Sequence, residues 1–312
     1  QEINNVKQMF PLDIEVPEFS PGRSKIQLNS ELPSVTTYQK KNTFPGSYID
    51  EWGSIWRIAE KGVTGEVKKP LLAAKEDIED LTVPWDFLHS TDLSSVSKQC
   101  KNSDKFMLSG VAARPFERLQ FLRGTENLFK DLIRHRDMVE ELLSQIHKYN
   151  LKHIETWLET DVDGIFLMDD WGSQNSLLIS PQKWKELFKP LYKEYCKLIH
   201  DADKYAFFHS DGNIESIYDD LIEVGIDALN SQLFCMDIEK LGRKYAGEIT
   251  FWGEVDRQSI LPFGTAEEVE NAVERIKRAL SSPEGGVIAQ CSWQKNVPPE
   301  NIKKVFETWS EF

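Results

Sequence analysis

The chain has 312 residues, 40% of them hydrophobic, with a formal net charge of −14 and a pI near 5.0. That balance disfavours nucleic acid and anionic membrane as partners, because both are bound through a basic face. No apolar run of about 18 residues is present, and the start, Gln1-Glu2-Ile3, lacks the basic-then-apolar pattern of a signal peptide, so a soluble cytoplasmic protein is expected.

The length suits one domain with a large core. Residues 1–104 form an N-terminal segment rich in Pro and Gly with short apolar runs, of which Leu12 to Val16 alone reads as a core strand. The rest of this segment is expected to loop over the mouth of the main body, residues 105–312. There the alternation is regular: strand 105–112, helices 125–160, strand 164–169, helix 181–203, strand 205–209, helix 213–224, strand 228–232, helix 237–246, strand 249–254, helix 266–281, strand 286–291 and helix 299–310. Strands alternating with helices imply right-handed crossovers and a parallel sheet. Ser180-Pro181 and Thr265-Ala266-Glu267-Glu268 carry the cap and first-turn signals of helix starts. Seven strands are counted and an eighth is hidden, so the fold class is α/β, of the TIM (β/α)8-barrel type.

Five of the strands stop on polar residues, which gathers chemistry at the carboxyl end of the sheet, where barrel active sites sit. Asp169 and Asp170 open the densest polar turn, followed by Trp171 and Gln174, which read as pocket walls. Neighbouring residues alternate in direction, so one of the two acids faces the site and handles protons or orients substrate. His209, with Asp211 two residues on, ends the middle strand. A core histidine bonded to a neighbour is the plain alternative, but the hydrophobic run before it delivers the ring to the mouth. Asn230 and Gln232 end the next strand, Trp252, Glu254 and Asp256 the one after, and Cys291 with Trp293 the last. In a closed barrel these ends converge, so His209 and Cys291, joined by Asp211 or Glu254, would supply the mixed N, S and O ligands that suit Zn²⁺. A buried inert cysteine is the alternative for Cys291. Arg114 is the favoured cation for a substrate carboxylate or phosphate, whereas Arg118 and Arg123 read equally well as partners of acids. Tryptophans at several strand ends suggest an aromatic enclosure for a flat or methylated ligand.

The stretches Asp50-Glu51-Trp52-Gly53, Phe121-Leu122-Arg123-Gly124-Thr125-Glu126-Asn127, Asp169 to Gln174, His209 to Ile214, Gly253 to Asp256 with Leu261 to Thr265, and Val297 to Asn301 together resemble the uroporphyrinogen decarboxylase superfamily. The likeness is to its corrinoid-linked methyltransferase and uncharacterised branch. It spans nearly the whole chain and implies a TIM barrel. True decarboxylases of the family carry an arginine-rich N-terminal segment, whereas residues 1–50 hold only Arg23. In the family's zinc methyltransferases a His-x-Cys pair joins a later Cys. His209 and Cys291 match two of these, and Asp211 stands where the first cysteine would be.

The expectation is therefore methyl transfer between a small-molecule substrate and a separate corrinoid protein, assisted by Zn²⁺ at His209 and Cys291. Asp169, Asp170 or Glu254 would manage protons. Decarboxylation is the second expectation, a non-catalytic small-ligand binder the third, and a homodimer is left open.

Overall fold

The computed structural model describes residues 9–10, 12–35, 45–60, 65–74, 76–283, 285–294 and 296–311. Its strands are β1 (Ile14–Glu15), β2 (Gly46–Ile49), β3 (Ile55–Ile58), β4 (Glu66–Lys69), β5 (Phe106–Ala113), β6 (Gly164–Met168), β7 (Tyr205–Ser210), β8 (Ala228–Ser231), β9 (Thr250–Gly253) and β10 (Val287–Ile288). Each of the seven core strands expected from the sequence has its counterpart among these, and those after residue 105 pair in parallel, giving an α/β fold. Among the described residues, no helix is long and apolar enough to cross a membrane.

Contacts divide the chain into two compact units, residues 16–167 and residues 168–312 with 1–15. The first holds a feature absent from the sequence-based reading. Strands β2, β3 and β4 form an antiparallel sheet, with Tyr48 opposite Trp56 and Ile49 opposite Ile55. Its apolar face closes on Val35, Tyr48, Trp56 and Ile58, with Val67 and Phe121 against them. Each strand is only four residues long, so no continuous apolar run announces it. Parallel strands β5 and β6 and the 23-residue helix Arg136–Leu158 complete this unit.

The second unit carries parallel neighbours β7, β8, β9 and β10 in sequential order. Their runs are continuous because both faces are covered: Ala206, Phe207 and Phe208 are buried, as are Leu229 and Phe251. The helix starts fall where the caps lie. Ser180 accepts from the Lys183 amide at 3.2 Å, and Thr265 forms a reciprocal capping box with Glu268. Helix Ala266–Leu280 buries Val269, Ala272, Val273, Ile276 and Leu280, the stripe its three-and-four spacing dictates. Register places His209, Asn230 and Trp252 side by side on β7, β8 and β9. With a period of two, Asp211, Gln232 and Glu254 follow them just beyond the strands.

Candidate active site

The site forms within residues 168–312, from the turns that follow β6, β7, β8 and β9. Two of these turns cross at near contact. A Cβ on Gly172 would lie 2.5 Å from the Asn213 nitrogen, and one on Gly212 would lie 2.3 Å from the Gly172 carbonyl carbon. Glycine at both positions lets the Asp170 and Asp211 turns meet. The Gly172 amide donates to the Asp211 carbonyl at 3.0 Å, and the Asp211 amide donates to Asp170 Oδ1 at 3.0 Å.

The adjacent acids of the first turn diverge, as alternation requires. Asp169 is fully buried and its Oδ2 accepts from the Tyr192 hydroxyl at 2.5 Å. That hydroxyl accepts in turn from Trp171 Nε1 at 3.2 Å. Trp171 has no exposed surface and packs on Trp184, Phe188 and Tyr192, so it supports the turn from the core side. Asp170 points the other way, with Oδ1 3.6 Å from His209 Nε2.

His209 is held from behind. Asn230 Nδ2 donates to the Trp252 carbonyl at 2.6 Å, which turns its Oδ1 toward His209 Nδ1 at 2.5 Å. Nδ1 therefore carries a hydrogen, and Nε2 faces Asp170 Oδ1 at 3.6 Å and Asp211 Oδ1 at 3.4 Å. Burial alone would lower the imidazole pKa, but the hydrogen bond to Asp211 and the charges of Asp170 and Asp211 overcome it, raising the pKa to about 8. Burial pushes Asp211 upward, yet His209 and Arg257 hold it down at about 2. Its Oδ2 accepts from Arg257 Nη2 at 2.5 Å and its Oδ1 from Gln232 Nε2 at 3.0 Å.

Asp170, His209 and Asp211 offer ligand atoms that all lie within 4.8 Å of one another, a nitrogen and two oxygens. These residues fit a divalent cation. The field that raises the His209 pKa is one that attracts positive charge, and the Asn230 contact frees Nε2 as a ligand in the manner of an outer-sphere partner. Cys291 and Glu254, both placed in the metal set from sequence, are not among these three. Burial and the neighbouring Glu254 charge push the Cys291 thiol up to about 12. Burial likewise raises the Glu254 carboxyl, against the pull of Arg257 and His209.

Beside the cluster opens a cleft of about 410 Å³, lined by Gln174, Gln232, Cys235, Glu254, Asp256 and Arg257 among others. Asp256 is occupied locally, its Oδ1 accepting the Gln258 and Ser259 amides. Trp252 and Trp293 are half-buried, with Trp252 edge-on to Phe207 at 5.6 Å. Arg257 went unrecognised in the sequence because it lies past the strand end, three residues after Glu254. Its signal was a lone cation following two acids in one turn.

Arg114 belongs to the other unit. It is buried there, 3.5 Å from Glu117 and over the Phe121 ring. Arg118 bridges Asp50 at 3.0 Å and Glu51 at 2.6 Å, and Arg123 pairs with Asp131 at 2.7 Å while donating to the Leu72 and Ala73 carbonyls. Arg118 and Arg123 are thus ion-pair partners, inside the protein rather than on its surface.

No curated protein sequence matches the chain. Among solved structures, a methyltransferase from Methanosarcina mazei is similar with a TM-score of 0.66 at 18% identity, covering 83% of this chain and 76% of that one. A B12-independent methionine synthase from Shewanella sp. W3-18-1, in complex with selenomethionine, aligns with a TM-score of 0.51 at 11% identity over 99% of this chain and 84% of that one. At such identities both likenesses speak for the fold. The family model for uroporphyrinogen decarboxylase (URO-D) matches residues 52–312, which take in the Asp170–His209–Asp211 cluster, and the chain belongs to the URO-D family.

Proposed function

We propose that this protein is a methyltransferase that moves a methyl group between a small substrate and a separate corrinoid protein, on a barrel of the TIM type. The observation that carries the reading is His209 Nε2 set between two carboxylates, with Nδ1 tied back to Asn230. Family membership and the fold shared with the Methanosarcina mazei methyltransferase support it.

Asp170, His209 and Asp211 would hold a divalent metal ion, with Zn²⁺ the candidate suited to N and O donors. When bound, such an ion supplies Lewis acidity toward the heteroatom that carries or accepts the methyl group. The protein's own groups do the rest. Asn230 keeps the hydrogen on Nδ1 and so keeps Nε2 directed at the acids. Gln232 and Arg257 fix the Asp211 carboxylate from two sides. Glu254, whose pKa burial raises against the pull of Arg257 and His209, lines the edge of the cleft as the candidate group for proton handling. Decarboxylation of a polycarboxylate has less support, because the cleft lining includes a single arginine.

Metal analysis after zinc reconstitution tests the reading. About one equivalent is expected in the wild type and in Cys291→Ala, with marked loss in His209→Ala and Asp170→Asn. A wild type that takes up no divalent metal removes the proposal.

A further inference from the structure

We propose that Arg257 is the recognition point for a carboxylate on the substrate, so that the substrate class is a short carboxylic acid bearing the methyl donor or acceptor atom. The substrate assignment rests on the functional reading above, whereas the anion site itself stands on geometry alone.

Arg257 has five N–H donors in a planar fork, and its one hydrogen bond among the described residues goes from Nη2 to Asp211 Oδ2. Nη1 lies 4.0 Å from Glu254 Oε1, beyond hydrogen-bonding distance. The remaining donors belong to a side chain that is 21% exposed and lines the open cleft. A guanidinium kept partly dry and only partly satisfied is suited to a planar oxyanion, which it grips through two parallel bonds. Asp256, a competing acid in the cleft, is already engaged by two backbone amides. Gln174 and Gln258 add amide donors to the same wall.

The geometry also limits length. One carboxylate, that of Asp211, joins the two halves of the site, with Oδ1 toward His209 and Oδ2 on Arg257. A molecule held at Arg257 while presenting an atom to the Asp170–His209–Asp211 cluster spans little more than the width of that carboxylate. The cleft beside the cluster is small and open on one side, which suits a short ligand.

The test titrates succinate, and its neutral counterpart succinamide, into wild-type protein by ligand-observed NMR, both metal-free and after zinc loading. Saturable succinate binding is expected, with no comparable binding of succinamide. Arg257→Gln should weaken succinate by about tenfold or more, and Arg257→Lys should recover part of the loss. Because Arg257→Gln also strips a partner from Asp211, a second measurement uses the wild type alone: phenylglyoxal modification at Arg257, read by peptide mass spectrometry, should be slowed by succinate and not by succinamide. Equal affinity in wild type and Arg257→Gln, equal binding of the two probes, or absence of protection overturns the proposal. Neither measurement involves turnover, so a protein that binds succinate through Arg257 but transfers no methyl group would retire the catalytic reading and leave this one standing.

Discussion

At the scale of single residues, the site turns on one tautomer. Asn230 is neither a ligand nor a proton carrier, yet its carbonyl decides which imidazole nitrogen of His209 is available. Asn230→Leu should keep the packing volume and lose the hydrogen bond, lowering zinc affinity by about 10- to 100-fold in a competition titration with a chelating dye. An unchanged affinity would show that His209 needs no such support. The raised pKa of His209 sets a pH dependence whose sign is fixed. A histidine whose folded pKa of about 8 exceeds its unfolded value of 6.5 adds stability below pH 6.5, and this is lost as pH rises through 8. Metal-free protein should therefore lose up to about 2 kcal/mol of stability across that window in urea titrations, and His209→Gln should lose less. His209, Asp211, Asn230 and Gln232 were legible because each ends an apolar run. The choice of Asp170 over Asp169, and the arrival of Arg257, depend on where turns fold back, which spacing alone does not record.

At the scale of elements, the crossing of the two glycine turns holds the candidate ligands together. Gly212 has φ of 76°, and a Cβ there would meet the Gly172 carbonyl carbon and oxygen at 2.3 Å. No side chain can step aside, since the obstacle is backbone. Gly212→Ala should cost more than about 2 kcal/mol in denaturant unfolding and should also reduce metal uptake, because the turns carrying Asp170 and Asp211 must separate. Gly247→Ala provides the contrast: φ is 87° but nothing lies within 4 Å of its Cβ, so only the backbone penalty of about 1 kcal/mol applies. Equal costs would show that the close approach is relieved elsewhere. The strands and helices after residue 160 were readable because burial on both faces leaves unbroken apolar runs between capped helices. The sheet β2–β3–β4 was not, because its strands are short, and the pairing of Tyr48 with Trp56 becomes visible only once the strands are aligned.

At the scale of the whole molecule, the charge of −14 and the cation site make linked demands. A chain this acidic welcomes a divalent cation, and the Asp170–His209–Asp211 cluster is where the acids and a nitrogen donor converge. Binding to the folded state alone must stabilise the chain by RT ln(1 + [M]/Kd), about 2.7 kcal/mol at a hundredfold excess over Kd. With an unfolding entropy of about 2.1 cal/mol/K per residue, the 312-residue chain should melt about 4 °C higher with zinc than with EDTA. The shift should vanish in Asp170→Asn and His209→Ala and persist in Cys291→Ala, because the ligand atoms that converge are those of Asp170, His209 and Asp211. A calorimetric scan that shows the full shift in Asp170→Asn and its loss in Cys291→Ala would place the cation on the thiol instead, and the cluster would then be an ion-paired brace between turns rather than a metal centre.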